Sequence, residues 1–141
     1  MGGMTAQHLV RPPPSARQAY VDDFVVRRRQ LGSPTLFDED RARVLAGMAY
    51  DRGLHPAGTA RQLLAIYADG DRTDRLRTLD TPTLVIHGRD DPLIAMSGGE
   101  ATAAAIPGAT LLVLDDMGHD LPAPLLPRLA CAIADHISAT E

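Results

Sequence analysis

The chain has 141 residues, a hydrophobic share of 45% and a formal net charge of −4, proportions that suit one globular domain or part of one. The acidic balance gives no broad electrostatic footing for nucleic acid, and no apolar run approaches the ~18 residues that a membrane span requires. A single cysteine, Cys131, excludes an internal disulfide framework.

Residues 1–14 are Gly-rich and end in three prolines. They read as a disordered tail, because successive prolines cannot continue a helix. The tail has no apolar signal-peptide core, so a cytoplasmic location is expected. Ser15 with Gln18 three residues on has the pattern of a capping box, and a helix is expected over 16–31, stopping at Gly32. Tyr20, Val21, Phe24 and Val25 mark its apolar side. Arg27, Arg28 and Arg29, the only basic cluster, then fall on a solvated face. Asp38 can cap a second helix over 39–52, with Val44, Leu45 and Met48 inward and Gly53 as terminator. Pro56 fits the first turn of a third helix. In it Ala60, Leu63, Leu64 and Tyr67 follow the spacing of one buried face, before Gly70 ends it. Residues 71–81 are charged and polar, a linker or short surface turn.

The character changes at Pro82. Thr83 to His87 and Thr110 to Leu114 are short β-prone runs, apolar on both faces, as in parallel strands covered on both sides. Between them lies an Ala-rich helix from Ser97 to Ile106, closed by Pro107-Gly108. A last helix over about 123–137 sets Leu126, Leu129, Ala130, Ile133 and Ile137 on one side, with Cys131 expected as a buried structural thiol. The order strand, helix, strand, helix is a βαβ crossover with its following helix, and the strands should be parallel. Two such strands do not make a stable sheet by themselves, so residues 82–138 read as the end of a larger one.

Each strand is followed by polar residues: Gly88-Arg89-Asp90-Asp91-Pro92 after the first, and Asp115-Asp116-Met117-Gly118-His119-Asp120 after the second. Catalytic groups in open α/β sheets collect at the carboxyl ends of strands. Neighbouring parallel strands would set these loops side by side, so that a carboxylate on one can bond an imidazole on the other. Such a bond fixes the histidine tautomer and stabilises the imidazolium as it takes a proton. Taken alone, Asp90 and Asp91 before Pro92 suit a simple turn, and His119 a loop histidine. Their joint occurrence at two strand ends is what points to chemistry. His87 is expected to be structural or to line the site, Asp90 to be a solvated neighbour, and Asp120 to cap the next segment. His8, His55 and His136 lack metal-ligand spacing, and there is no phosphate-loop or dinucleotide signature, so no metal or cofactor is expected.

HGRDDP at 87–92 with MGHD about 28 residues further on, after strand–helix–strand, resembles the C-terminal part of α/β-hydrolase-fold enzymes. The resemblance covers about residues 15–138 and is most specific over 82–122; the nearest likeness is to bacterial small-molecule esterases. It implies a chain order of nucleophile, acid, base. Asp91, directly before Pro92, matches the acid, and His119 of the Gly-His segment matches the base. The implied fold is a partial α/β-hydrolase fold: a helical cap-like segment and linker over 15–81, then a strand-helix-strand-helix unit with parallel strands over 82–138.

The sequence departs from the family in having no G-x-S-x-G and no HG-rich oxyanion segment. Its serines are Ser15, Ser33, Ser97 and Ser138, none in a strand–elbow–helix setting. The expectation is therefore a C-terminal fragment of a serine-type hydrolase of small carboxylic esters, from a truncated or split gene or a mis-started reading frame, inactive alone. It would meet a small-molecule ester only when the missing N-terminal half is supplied. Two alternatives stand beside it. One is a non-catalytic interaction module that self-associates through its exposed sheet edge. The other is half of a hydrolase with an Asp nucleophile.

Overall fold

The computed structural model describes residues 12–140. The disordered tail expected over 1–14 thus lies mostly outside the described residues, and Pro12 to Pro14 carry neither helix nor strand. The chain divides into two compact units. One holds the residues up to Gln30 together with Asp38–Gly70; the other holds Leu31–Phe37 and the chain from Asp71 onward.

In the first unit the helices are α1 (Arg17–Leu31), α2 (Glu39–Arg52) and α3 (Pro56–Asp69). The capping box expected at α1 does not form. Gln18 Nε2 donates forward to both carboxylate oxygens of Asp22, at 3.2 and 3.3 Å, since a charged acceptor one turn ahead makes the stronger hydrogen bond. The arginine run is taken up locally. Arg27 pairs with Asp23 at 2.7 Å, Arg28 lies over the Phe24 ring at 5.2 Å, and Arg29 bonds Glu39 at 2.6 Å. At α2 the bounds follow the expected signals: Asp38 Oδ1 accepts from the Arg41 amide at 2.9 Å, and Gly53 takes φ 122°.

The inward face of α2 differs from expectation. Ala42, Ala46 and Gly47 are buried, while Val44, Leu45 and Met48 are exposed. The Arg17 guanidinium lies over Gly47, 2.8 Å from where a β-carbon would stand. Nor does α3 bury its periodic stripe: none of its residues is buried, and Leu64 and Tyr67 each keep 68% of their surface. Amphipathic spacing marks a face that can be covered, and cover depends on what packs there.

In the second unit the linker expected over 71–81 instead contains a short helix, α4 (Thr73–Arg77), begun by Asp71 Oδ1 accepting from Thr73. Then follow β1 (Leu84–Gly88), α5 (Met96–Ala105), β2 (Thr110–Leu114), a 3-10 turn (Ala123–Leu125) and α6 (Leu126–Ser138). The strands are parallel, in register from Leu84 opposite Thr110 to Gly88 opposite Leu114. Leu114, Met117 and Leu129 form the buried core, and Ile86, Leu112 and Leu125 pack against it. Of the apolar stripe of α6 only Leu129 is buried; Leu126, Ile133 and Ile137 stay exposed, and so does Cys131. The expected buried thiol is thus corrected, because a sheet of two strands is narrower than the helix stripe it must cover.

In a parallel strand the N–H and C=O of one residue point to the same side. Thr83 accepts from Thr110 and Arg89 donates to Leu114 across to β2. Leu84 and Ile86 therefore turn their backbone groups outward, where no described residue bonds them. An open groove of about 440 Å³ adjoins this edge, lined by Pro82, Thr83, Leu84, Ile86, Ile133 and His136.

Candidate active site

The two loops leaving the strands are bound to each other by their own backbones. The Arg89 amide donates to the Leu114 carbonyl and the Asp90 amide to that of Met117, both at 3.0 Å. Arg89 also pairs with Asp115 across the loops. Gly88 permits this contact, since a β-carbon there would lie 2.2 Å from the Met117 carbonyl oxygen. The glycine of the HGRDDP segment is thus required by close backbone approach.

Asp91 divides its two oxygens. Oδ1 accepts from the amides of Leu93 and Ile94, at 2.8 and 2.9 Å, and shapes the turn around Pro92. Oδ2 faces His119 Nδ1 at 2.8 Å. One oxygen thus serves the turn and the other meets the imidazole. Its side chain is 7% exposed, that of His119 45%. Burial pushes the Asp91 carboxyl up, but hydrogen bonds from Ile94, His119 and Leu93 outweigh it and hold the group below the ordinary aspartate range. The ionised carboxylate makes Nδ1–H the donor. Nε2 then carries the lone pair, and no described residue hydrogen-bonds it. A buried anion behind an exposed imidazole can orient that ring and offset the charge it gains on taking a proton.

His87 is 9% exposed and serves the same loop from behind. Its Nε2 meets the Ile94 carbonyl at 3.0 Å. Gly99 of α5 leaves room for the ring, as a β-carbon there would stand 2.6 Å from His87 Nδ1. Ile94 therefore bonds His87 through its carbonyl and Asp91 through its amide, which ties the acid loop to the end of β1.

The other sequence candidates do not join the pair. Asp90 is exposed. His55 precedes α3 in the first unit, His136 lines the groove on α6, and His8 lies outside the described residues. Contrary to expectation, Asp120 does not cap the following segment; its Oδ1 accepts from the Ser33 amide at 3.0 Å. Ser33 is buried and its Oγ accepts from the amides of Thr35 and Leu36, while Ser15, Ser97 and Ser138 are exposed. Among the described residues no serine hydroxyl bonds His119, and no cluster of three His, Cys, Asp or Glu side chains is placed to hold a metal. No described helix is long and apolar enough to cross a membrane.

Sequence reasoning missed the segment from Leu31 to Thr35. The Leu31 carbonyl accepts from the His119 amide at 2.7 Å, and Thr35 Oγ1 donates to Asp116 Oδ1 at 2.9 Å. Ser33 and Asp120 are 87 residues apart, so no local periodicity signals their meeting. Gly118, between Met117 and His119, was the one available hint.

A family model of the alpha/beta hydrolase fold matches residues 1–122 of the chain. A non-heme haloperoxidase from Rhodococcus erythropolis is 34% identical over 56 residues, 39% of this chain and 20% of that protein. Among solved structures, an esterase from a Rhodococcus species is similar with a TM-score of 0.65 and 21% identity, over 89% of this chain and 44% of its own. A meta-cleavage product hydrolase from Pseudomonas fluorescens also has a TM-score of 0.65, at 17% identity, over 99% of this chain and 53% of its own. At these identities the structural likeness is one of fold. The chain spans about half the length of these solved hydrolases and a fifth of the haloperoxidase.

Proposed function

The chain belongs to the α/β-hydrolase-fold family, and on that premise we propose that it is the acid- and base-bearing portion of a serine-type hydrolase of small carboxylic esters. The observation that carries this reading is the 2.8 Å contact between Asp91 Oδ2 and His119 Nδ1 at the ends of two parallel strands. In the complete enzyme His119 Nε2 takes the proton of a serine hydroxyl as its oxygen attacks the ester carbonyl. The imidazolium, held by Asp91, gives that proton to the departing alcohol. His119 then draws a proton from water as its oxygen attacks the acyl-serine, and returns that proton to the serine oxygen as the acid leaves.

The serine and the oxyanion donors come from a further segment, since the 141 residues contain no G-x-S-x-G. A positioned general base by itself contributes ~10²–10⁴-fold, so the chain alone is expected to turn over esters poorly. Supplying the nucleophile-bearing half of a related hydrolase, fused or in trans, is expected to restore cleavage of a p-nitrophenyl ester. Equal hydrolysis by a complemented and folded His119→Ala protein would sink the assignment of the base.

The outward backbone groups of Leu84 and Ile86 favour a second reading, a non-catalytic module that pairs through this edge. Light scattering on the purified chain is then expected to show mass rising with concentration. A folded monomer at all concentrations, with no affinity for a hydrolase half, counts against it.

A further inference from the structure

We propose that Asp120 and Ser33 are positioning residues for His119: the segment Leu31–Thr35 is a clasp that holds the base loop, and with it the imidazole, against Asp91.

His119 sits on a loop in which Asp116 takes φ 58°, a left-handed conformation uncommon outside glycine, and in which Gly118 allows a close backbone approach. Such a loop needs an outside partner to hold one conformation. The clasp bonds it at three places. Thr35 Oγ1 donates to Asp116 Oδ1 at 2.9 Å, the His119 amide donates to the Leu31 carbonyl at 2.7 Å, and the Ser33 amide donates to Asp120 Oδ1 at 3.0 Å. Between these points the two backbones touch, for a β-carbon on Gly118 would lie 2.4 Å from the Gly32 carbonyl carbon.

The clasp is itself held in shape. Ser33 is 1% exposed, and its Oγ accepts from the amides of Thr35 at 3.3 Å and Leu36 at 2.8 Å. With the backbone of residue 119 fixed on one side and Asp91 on the other, the ring has little freedom left. Asp120 acts here as an acceptor for one amide, and asparagine keeps that acceptor. The catalytic consequence rests on the reading of His119 as the base; the positional claim does not.

The test follows the His119 Nδ1–H proton of the intact chain by NMR, with no substrate present. Asp120→Ala is expected to speed its exchange with solvent about fivefold, the change that one net hydrogen bond is worth. Asp120→Asn is expected to restore the slow exchange. Unchanged exchange in Asp120→Ala overturns the clasp. Equal loss in both variants also overturns it, by making the charge rather than the acceptor the agent. If Asp120→Ala does not fold by circular dichroism, Thr35→Val carries the test, since it removes only the bond to Asp116; unchanged exchange there overturns the proposal. In the complemented enzyme Asp120→Ala should lower kcat with KM unchanged. Failure there with altered exchange in the chain alone counts against the ester reading and leaves the clasp standing.

Discussion

Asp91→Asn in the complemented enzyme is expected to lower kcat by ~10⁴-fold with little change in KM. The physical cause is tautomer choice. Asp91 can only accept at Oδ2, so Nδ1 of His119 carries the hydrogen and Nε2 keeps its lone pair. An asparagine can turn its amide toward Nδ1 and donate, which moves the hydrogen to Nε2 and removes the base. The backbone bonds of Leu93 and Ile94 to Oδ1 ask only for an acceptor, so the turn should survive. Activity within tenfold of the parent would exclude Asp91 as the acid. The same substitution should change the acid limb of stability. The Asp91 carboxyl lies below its ordinary value, so its contribution is complete above about pH 4 and is lost as the pH falls through the folded value. Asp91→Asn should therefore show less loss of stability than the parent as the pH falls below about 4.

Leu114→Ala is expected to destabilise the second unit by about 2–5 kcal/mol. Leu114 has no exposed surface and forms, with Met117 and Leu129, the buried core of that unit. A loss of this size is a large part of the 5–15 kcal/mol that holds an ordinary domain folded. The effect should reach the site, because Leu114 ends β2 and its carbonyl accepts the Arg89 amide that joins the two loops. Urea denaturation followed by circular dichroism should show an earlier midpoint, and the His119 Nδ1–H signal should weaken at denaturant levels where the parent keeps it. An unchanged midpoint would mean that Leu114 does not carry the core.

The elements most plainly written in the sequence are those with local causes. Asp38, Gly53, Pro56 and Gly70 bound their helices by caps and backbone geometry that need only a few neighbouring residues. The β-prone runs around 84–88 and 110–114 with a helix between imply a parallel pair, because a short right-handed crossover allows little else. The candidate pair was legible for the same reason. Strand ends set side by side bring Asp91 and His119 within one hydrogen bond, though they are 28 residues apart.

Burial was less legible. The stripes of α2, α3 and α6 were apolar at the right spacing, yet Val44, Leu64 and Ile133 stay exposed. Spacing describes one helix, whereas cover depends on the shape and width of what lies opposite. Cys131 and the expected inward face of α2 were misplaced on that account.

By itself the sequence determined the α/β order, the bounds of α2 and α3 and the two strand-end residues on which the proposed chemistry rests, since each follows from local propensity or from the short crossover. Only the tertiary structure decided that Asp91 splits its oxygens between turn and imidazole, that His87 braces the acid loop, and that Leu31, Ser33 and Thr35 hold the loop of His119. Those are contacts between segments far apart in the chain, and a hydrogen bond of that kind leaves no period or motif in either segment.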